Sequence, residues 1–424
     1  MSHTHIRQIK IAARFLLLAF VVGMVCSASA QTFTTLYSFT GTPDGANPFQ
    51  SNLLDLNGTF YGTTGNGGQY GFGTIFKVDA TGKETVLYSF TGAADGAQPS
   101  SGLTPDGKGN FYGTTFYGGN LNCDVLGSKI PGCGVVYKFT AKGALQPLYA
   151  FTGGADGAWA QGLALDGGGN LYGVAYYGGD LNCILLPGIG CGDIYKISST
   201  GAFSTLYSFQ DGSDGGVPEG FVTLHNNILY AATQLGGNLN GCGGLGCGVL
   251  FAEPTSGGTG KTVYAFTGGS DGGAPLSQLL FDASGNMYGT TYSGGDLSCS
   301  NNGSVGCGVV FKLTPKGKET VIHAFKGTPN DAANPSWGLT VDSKGNGYGT
   351  TLYGGTANVG AIFKVSSNGV EKLLYSFTGG TDGAYPQSGL TIDGSGNLFS
   401  NAVFGGDLNC SAPNGCGTVF KLVP

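Results

Sequence analysis

A phrase close to LYSFTGGxDGAxP occurs seven times in this chain, and no other feature narrows the possible folds as much. Its aromatic anchors are Phe39, Phe90, Phe151, Phe209, Phe266, Phe325 and Phe377, spaced about 51 to 61 residues apart. Nearly everything beyond the first 30 residues is one unit written seven times. A period of that length marks a propeller, a solenoid or an array rather than a conventional enzyme domain. In the second unit, β-rich runs lie at 101–104, 111–115, 135–139 and 145–151. Turns at 106–110 and 141–143 and a longer loop at 118–134 separate them. No stretch has the helical period.

Four-stranded units repeated four to eight times describe a β-propeller; a β-solenoid is the rival, but its coils are usually shorter. The expectation is an all-β fold, a seven-bladed β-propeller of four-stranded blades. First strands fall near Leu53, Leu103, Leu163, Phe221, Leu279, Leu339 and Leu390. Residues 33–39 read as a fourth strand and 418–422 as a third, so the N-terminal strand is expected to close the last blade, which removes two exposed edges. Glycine supplies 82 of the 424 residues, far above the usual ~7%. The glycines recur at fixed places between strands, as turn residues do.

The first 30 residues stand outside the repeat. Arg7, Lys10 and Arg14 precede an apolar run at 15–25, and Ala28-Ser29-Ala30 follow. This pattern reads as a secretory signal peptide cleaved after Ala30. The run is roughly half the ~20 residues needed to span a bilayer. Met24 and Val25 precede Cys26 where lipidation would want a small residue. The expected product is residues 31–424, a single propeller domain, secreted or periplasmic, monomeric, with no transmembrane segment.

Beyond residue 30, 16 lysines face 25 acidic residues, and no arginine remains. Nucleic-acid binding needs a basic face, usually with arginine forks. That class is excluded, as is avid binding to an anionic membrane.

Apart from Cys26, ten cysteines form five near neighbours: Cys123 and Cys133, Cys183 and Cys191, Cys242 and Cys247, Cys299 and Cys307, Cys410 and Cys416. Each pair falls between the second and third strands of one unit. The units after Phe39 and Phe325 lack both members. Presence or absence in pairs points to local disulfides. Zinc would want about four ligands, often including His. His225 and His323 are the only histidines past residue 30, and neither accompanies a cysteine pair. No metal and no cofactor are expected.

The repeated Asp44, Asp95, Asp156, Asp214, Asp271, Asp331 and Asp382 read as turn residues, as do Asp106, Asp166, Asp282, Asp342 and Asp393. One carboxylate per turn is a poor calcium loop. Third-strand lysines (Lys77, Lys138, Lys196, Lys312, Lys364 and Lys421) are expected to blunt an edge or to lay their stems along a neighbouring blade.

Function should sit where the repeats differ. The slot before the first strand is mostly Ser but holds Gln161, Glu219 and Trp337 in three units, and Trp159 and Tyr385 stand at or beside the loop proline. In a propeller this loop shares a face with the cysteine loops. Trp159, Gln161, Glu219, Trp337 and Tyr385 are therefore the candidate ligand-binding residues, for an extracellular glycan or protein. A plainer reading has Trp159 and Trp337 plugging the top of the channel. No nucleophile–base pair is evident. Of the five glutamates past residue 30, only Glu219 falls on this face, which leaves a two-carboxylate hydrolase or lyase as the alternative. A structural surface protein without a small ligand is the third reading.

The segments LYSFTGAADGAQPSSGL, GNFYGTTFYGG and CGVVYKFTAKG resemble the GloVer tandem repeats of bacterial exported proteins, the choice-of-anchor tandem-repeat proteins. The resemblance spans residues 33–424 in unbroken phrase order. It implies an exported or surface β-propeller and supplies no catalytic residues. Members of that group can carry a C-terminal sorting anchor; none is read here, so surface retention is not expected.

Overall fold

The computed structural model describes residues 31–50, 52–301 and 303–424. The signal-peptide reading, the Ala30 cleavage site and Cys26 lie outside the described residues. The rest folds into seven small antiparallel sheets arranged as a propeller. Blade 1 is Leu54–Leu56, Thr59–Thr64, Thr74–Asp79 and Glu84–Ser89; blade 2 is Thr104–Pro105, Phe111–Tyr117, Val135–Phe139 and Leu145–Ala150. Blade 3 is Ala158–Leu165, Leu171–Tyr177, Asp193–Ile197 and Phe203–Ser208; blade 4 is Thr223–His225, Ile228–Leu235, Val249–Pro254 and Lys261–Ala265. Blade 5 is Leu280–Phe281, Met287–Thr291, Val309–Leu313 and Glu319–Ala324; blade 6 is Thr340–Val341, Gly347–Thr351, Ala361–Val365 and Glu371–Ser376. Blade 7 has Thr391–Ile392, Leu398–Ala402 and Thr418–Val423, and its outer strand is Thr32–Ser38 from the other end of the chain.

Both faces of a blade pack on neighbours, so the third strands read almost entirely buried, with only the lysine partly exposed. The core is accordingly divided among the seven seams rather than pooled at a centre. The repeat's anchor phenylalanine holds each seam. In every blade it is fully buried, and its ring meets a third-strand aromatic edge-to-face: Phe39–Phe76, Phe90–Tyr137, Phe151–Tyr195, Phe209–Phe251, Phe266–Phe311, Phe325–Phe363 and Phe377–Phe420. Centroids are 4.9–5.3 Å apart. Such pairs add about 0.5–1.5 kcal/mol each beyond the area they bury. Phe377–Phe420 and Phe39–Phe76 carry the same contact across the closure.

The second-strand glycine is required by this packing. A Cβ on Gly113 would lie 2.3 Å from the Tyr137 hydroxyl, and one on Gly289 2.7 Å from the Phe311 ring.

The five disulfides pair as the spacing predicts: Cys123–Cys133, Cys183–Cys191, Cys242–Cys247, Cys299–Cys307 and Cys410–Cys416. Among the described residues, no helix is long and apolar enough to cross a membrane.

The third-strand lysines make a contact that the sequence reading did not name. Lys138, Lys196, Lys312 and Lys364 sit 5.3–5.6 Å over the rings of Tyr112, Tyr172, Tyr288 and Tyr348, and Lys421 over Phe399. Each ring belongs to the adjacent second strand of the same blade, where the antiparallel register places the two side chains directly opposite. The ammonium groups thus stack on rings of their own sheet.

Candidate functional site at the mouth of the channel

Seven equivalent residues ahead of the first strands share one backbone conformation. Asn47, Gln98, Trp159, Val217, Ala274, Asn334 and Tyr385 all have φ between 50° and 58°. Each N–H donates to a carbonyl in the cysteine loop of the preceding blade: to Cys416, Phe72, Cys133, Cys191, Cys247, Cys307 and Val359 respectively, at 2.7–3.0 Å. In blades 1 and 6, Phe72 and Val359 take the place of the second cysteine. Left-handed backbone suits Asn and is costly for Val or Trp. The ring of hydrogen bonds imposes the conformation, so the slot accepts six different side chains in seven blades. Trp159 and Tyr385 occupy it.

Trp159 is the hub of an aromatic arc. Its indole lies 6.0 Å from Phe116, 5.4 Å from Tyr117, 6.3 Å from Tyr176 and 5.0 Å from Tyr177, and Phe116 continues to Phe49 at 6.2 Å. Tyr385 centres a second group with Tyr353 (5.7 Å) and Phe404 (6.0 Å). A cavity of about 270 Å³ lies between the two groups, lined by Phe49, Phe116 and Phe404 with Asn47, Asn66 and Gln98. The carboxamides form a ladder: Gln98 Nε2 donates to Asn66 Oδ1 (3.0 Å), Asn66 Nδ2 to Asn47 Oδ1 (3.3 Å), and Asn47 Nδ2 to the Val403 carbonyl (3.0 Å). Sequence reasoning missed Phe49, Phe116, Asn66 and Gln98: Phe49 and Gln98 lie ahead of first strands, Phe116 and Asn66 at or just after the ends of second strands, and only the closed ring shows that they converge.

Glu219 is partly buried nearby. Gln50 Nε2 donates to its Oε1 at 3.3 Å. Burial pushes its carboxyl up to about 7, with Gln50 opposing the shift. Its charge in turn helps hold the Tyr176 and Tyr177 hydroxyls above their usual range, after burial itself. Tyr176 donates to Gln234 Oε1 at 3.0 Å. Gln161 is buried, and its Oε1 accepts the Gly220 N–H at 2.6 Å, which fixes the loop carrying Glu219.

Trp337 lies elsewhere. It is only 3% exposed, its ring is 6.2 Å from Phe221, and its Cδ1 would sit 3.3 Å from a Cβ on Gly389. It packs the channel rather than joining the arc. Phe221 also departs from its expected register. Val222 is the core residue of blade 4, in the place of Leu103 or Leu163. Phe221 turns into the channel, where a Cβ on Gly162 would meet its ring at 2.1 Å. Val222 follows the anchor Phe209 at the same spacing as Leu103 follows Phe90 and Leu279 follows Phe266, so Phe221 stands where blades 2 and 3 have Gly102 and Gly162.

The Asp turns are spent locally. In six blades the loop carboxylate accepts a tyrosine hydroxyl from the preceding strand, as Asp95 does from Tyr88 at 3.0 Å, and a backbone N–H, as from Thr91 at 2.8 Å. Asp106, Asp166, Asp282, Asp342 and Asp393 each cap their hairpin through two backbone N–H groups and an Asn amide. The carboxyls of Asp282 and Asp342 are thereby held down at about 2.

A larger cavity, about 560 Å³, opens between blades 5 and 6 near the hairpin turns. Leu280, Phe281, Tyr288, Leu339 and Val365 line it, and so does Gly347. Other blades carry Phe60, Phe111, Leu171, Leu229, Met287 or Leu398 where blade 6 has Gly347.

The profile of the Gloeobacter/Verrucomicrobia repeat matches residues 22–184, 124–301 and 297–424 in tandem. No curated protein matches the chain by sequence. Among solved structures, a streptogramin B lyase is similar at 14% identity, covering 93% of this chain and 97% of that one, with a TM-score of 0.56. Two extracellular domains from B. thetaiotaomicron, of a one-component and a hybrid two-component system, each reach a TM-score of 0.54 at 11% and 12% identity. The match covers 93% of this chain but only 40% and 41% of theirs. At such identities the likeness concerns the propeller fold alone.

Proposed function

The chain belongs to the Gloeobacter/Verrucomicrobia repeat family, and from that footing we propose that it is an exported propeller that binds an extracellular glycan at the channel mouth on its cysteine-loop face. Five disulfides suit an oxidising compartment. The observation that carries the reading is the arc Phe49–Phe116–Trp159–Tyr176 set against the Asn47–Asn66–Gln98 ladder. Sugar rings offer apolar C–H faces to aromatic rings and hydroxyls to carboxamides, and a recess with that lining meets both needs. At about 270 Å³ it suits one or two sugar units, with the chain continuing along the arc. Glu219, Gln161 and Tyr385 border the ligand, while Trp337 supports the floor from inside the channel. The protein acts as a monomer.

A glycan array probed with the full chain and with Trp159→Ala and Phe116→Ala tests this. Selective binding that both variants lose is the expected result; identical binding by all three proteins sinks the proposal.

A carbohydrate-active hydrolase or lyase is the second reading, and one observation favours it. A carboxyl poised at about 7 is suited to general acid catalysis at neutral pH. Burial and Gln50 alone account for that value, and no second carboxyl contributes. Hydrolysis would need a partner about 5–10 Å away, so binding without turnover is the preferred reading. Release of reducing ends from a bound oligosaccharide, abolished by Glu219→Gln, would reverse that preference.

A further inference from the structure

Three ligating side chains from three elements converge at the seam between blades 5 and 6. His323 lies on the outer strand of blade 5, Asp331 in the loop that follows, and Glu371 at the start of the outer strand of blade 6. One ligand atom from each lies within 4.8 Å of the other two. His323 Nε2 is 3.4 Å from Asp331 Oδ2. Yet His323 Nε2 and Glu371 Oε1 are both sealed from solvent and make no hydrogen bond. Buried polar atoms are nearly always paired, because leaving one unpaired costs about 1–3 kcal/mol.

The other six blades act as internal controls. Each has a tyrosine where blade 5 has His323, and its hydroxyl donates to the loop Asp: Tyr37 to Asp44, Tyr88 to Asp95, Tyr149 to Asp156, Tyr207 to Asp214, Tyr264 to Asp271 and Tyr375 to Asp382. In five of them a threonine hydroxyl also binds that Asp. Blade 5 has lost both donors, for Lys326 replaces the threonine and contributes only its backbone N–H (2.9 Å). Glu84 and Glu319 approach Asp44 and Asp271 closely enough to influence each other's charge. Glu84 Oε1 and Glu319 Oε1 are likewise buried without a hydrogen bond, so the glutamate alone does not set blade 6 apart, and those seams keep their tyrosine. Only at His323 is the hydroxyl donor exchanged for a nitrogen that can donate an electron pair.

We propose that His323, Asp331 and Glu371 form a binding site for a divalent transition cation of the zinc type, with the remaining coordination position open to water or an external ligand. One imidazole with two carboxylates is a borderline donor set, which suits zinc better than the all-oxygen preference of calcium or magnesium. Ligands ~2.0–2.1 Å from a tetrahedral ion stand roughly 3.3 Å apart, close to the His323–Asp331 separation. The cluster Cys183, Cys191 and Asp211 is no rival, since both sulfurs are consumed in a disulfide. A bound ion would tie blade 6, one of the two blades without a disulfide, to blade 5.

The test uses the untagged full chain, stripped with chelator and titrated with Zn²⁺ alone by calorimetry, and with Co²⁺ followed by visible absorption. One ion per chain, tetrahedral cobalt bands and a raised Tm are expected. His323→Tyr installs the residue of the other six blades, so it should fold normally while losing the stoichiometric binding and the bands. Glu371→Gln should weaken both. Absence of stoichiometric binding, or binding that His323→Tyr leaves unchanged, overturns the proposal.

Discussion

Gln50 and Glu219 stand 169 positions apart in sequence and meet at 3.3 Å, joining the loop ahead of blade 1 to the loop ahead of blade 4. Their contact links two non-adjacent blades at the channel mouth. An unfolded glutamate titrates near 4.5 and the folded Glu219 at about 7, so the folded state retains a proton between those values. Its favourable contribution is complete below about pH 4.5 and is lost as pH rises through 7. Glu84, Glu319 and Glu371, also raised to about 7 by burial and secondarily by neighbouring carboxylates, act in the same sense. Glu219→Gln should therefore flatten part of the stability loss between pH 4.5 and 8 in urea titrations. An unaltered slope would show that Glu219 does not titrate in that window.

Gly113 lies against the Tyr137 hydroxyl, so Gly113→Ala forces the second and third strands of blade 2 apart. Overpacking of this kind costs about 1–3 kcal/mol. Tyr137→Phe removes the nearest of the conflicting atoms, a hydroxyl that is buried without a partner, but leaves ring Cζ 2.5 Å from the added Cβ, and should recover only part of the loss. A double-mutant cycle measured by denaturant midpoints would give an interaction energy indistinguishable from zero if the contact were incidental.

Replacing Cys123 and Cys133 together by alanine opens a loop whose ends are 10 residues apart. The chain-entropy estimate for closing such a loop is about 2–3 kcal/mol. The variant should unfold at correspondingly lower denaturant. Equal midpoints for variant and parent under oxidising conditions would mean that the loop is ordered without its crosslink.

Gly347→Leu restores to blade 6 the apolar side chain that every other blade carries at this place. The nearest Leu339 atom lies 3.7 Å from where the Cβ would sit, and the cavity beyond offers space for the rest. Filling it should raise stability by about 0.5–2 kcal/mol. A lower Tm would mean that the cavity walls cannot accommodate the branch.

Legibility followed the repeat. The anchor phenylalanines, the paired cysteines and the Asp turns could be read because each recurs in register, and local chemistry explains each one. Trp159, Glu219 and Tyr385 were legible as departures from the pattern. Phe116 was not, since its position varies from unit to unit, and Gln98 was not, since in the slot that it shares with Trp159 and Tyr385 a carboxamide does not stand out beside Asn47 and Asn334. His323 was visible as an exchange for tyrosine, but its partner Glu371 lies on the next blade, with nothing in the sequence to join them.

The sequence by itself determined the number of blades, the closing of the ring by its first strand and the partners of the disulfides, because a period and local spacing specify them. Tertiary structure alone decided which side chains meet. The closed ring brings Gln50 to Glu219, and the packing of blade 6 on blade 5 brings His323 to Glu371, through contacts that no local spacing encodes. Packing places Phe221 in the channel with Trp337 6.2 Å from it, while Trp159 stays at the mouth. Only the packed neighbours settle where each of these side chains points.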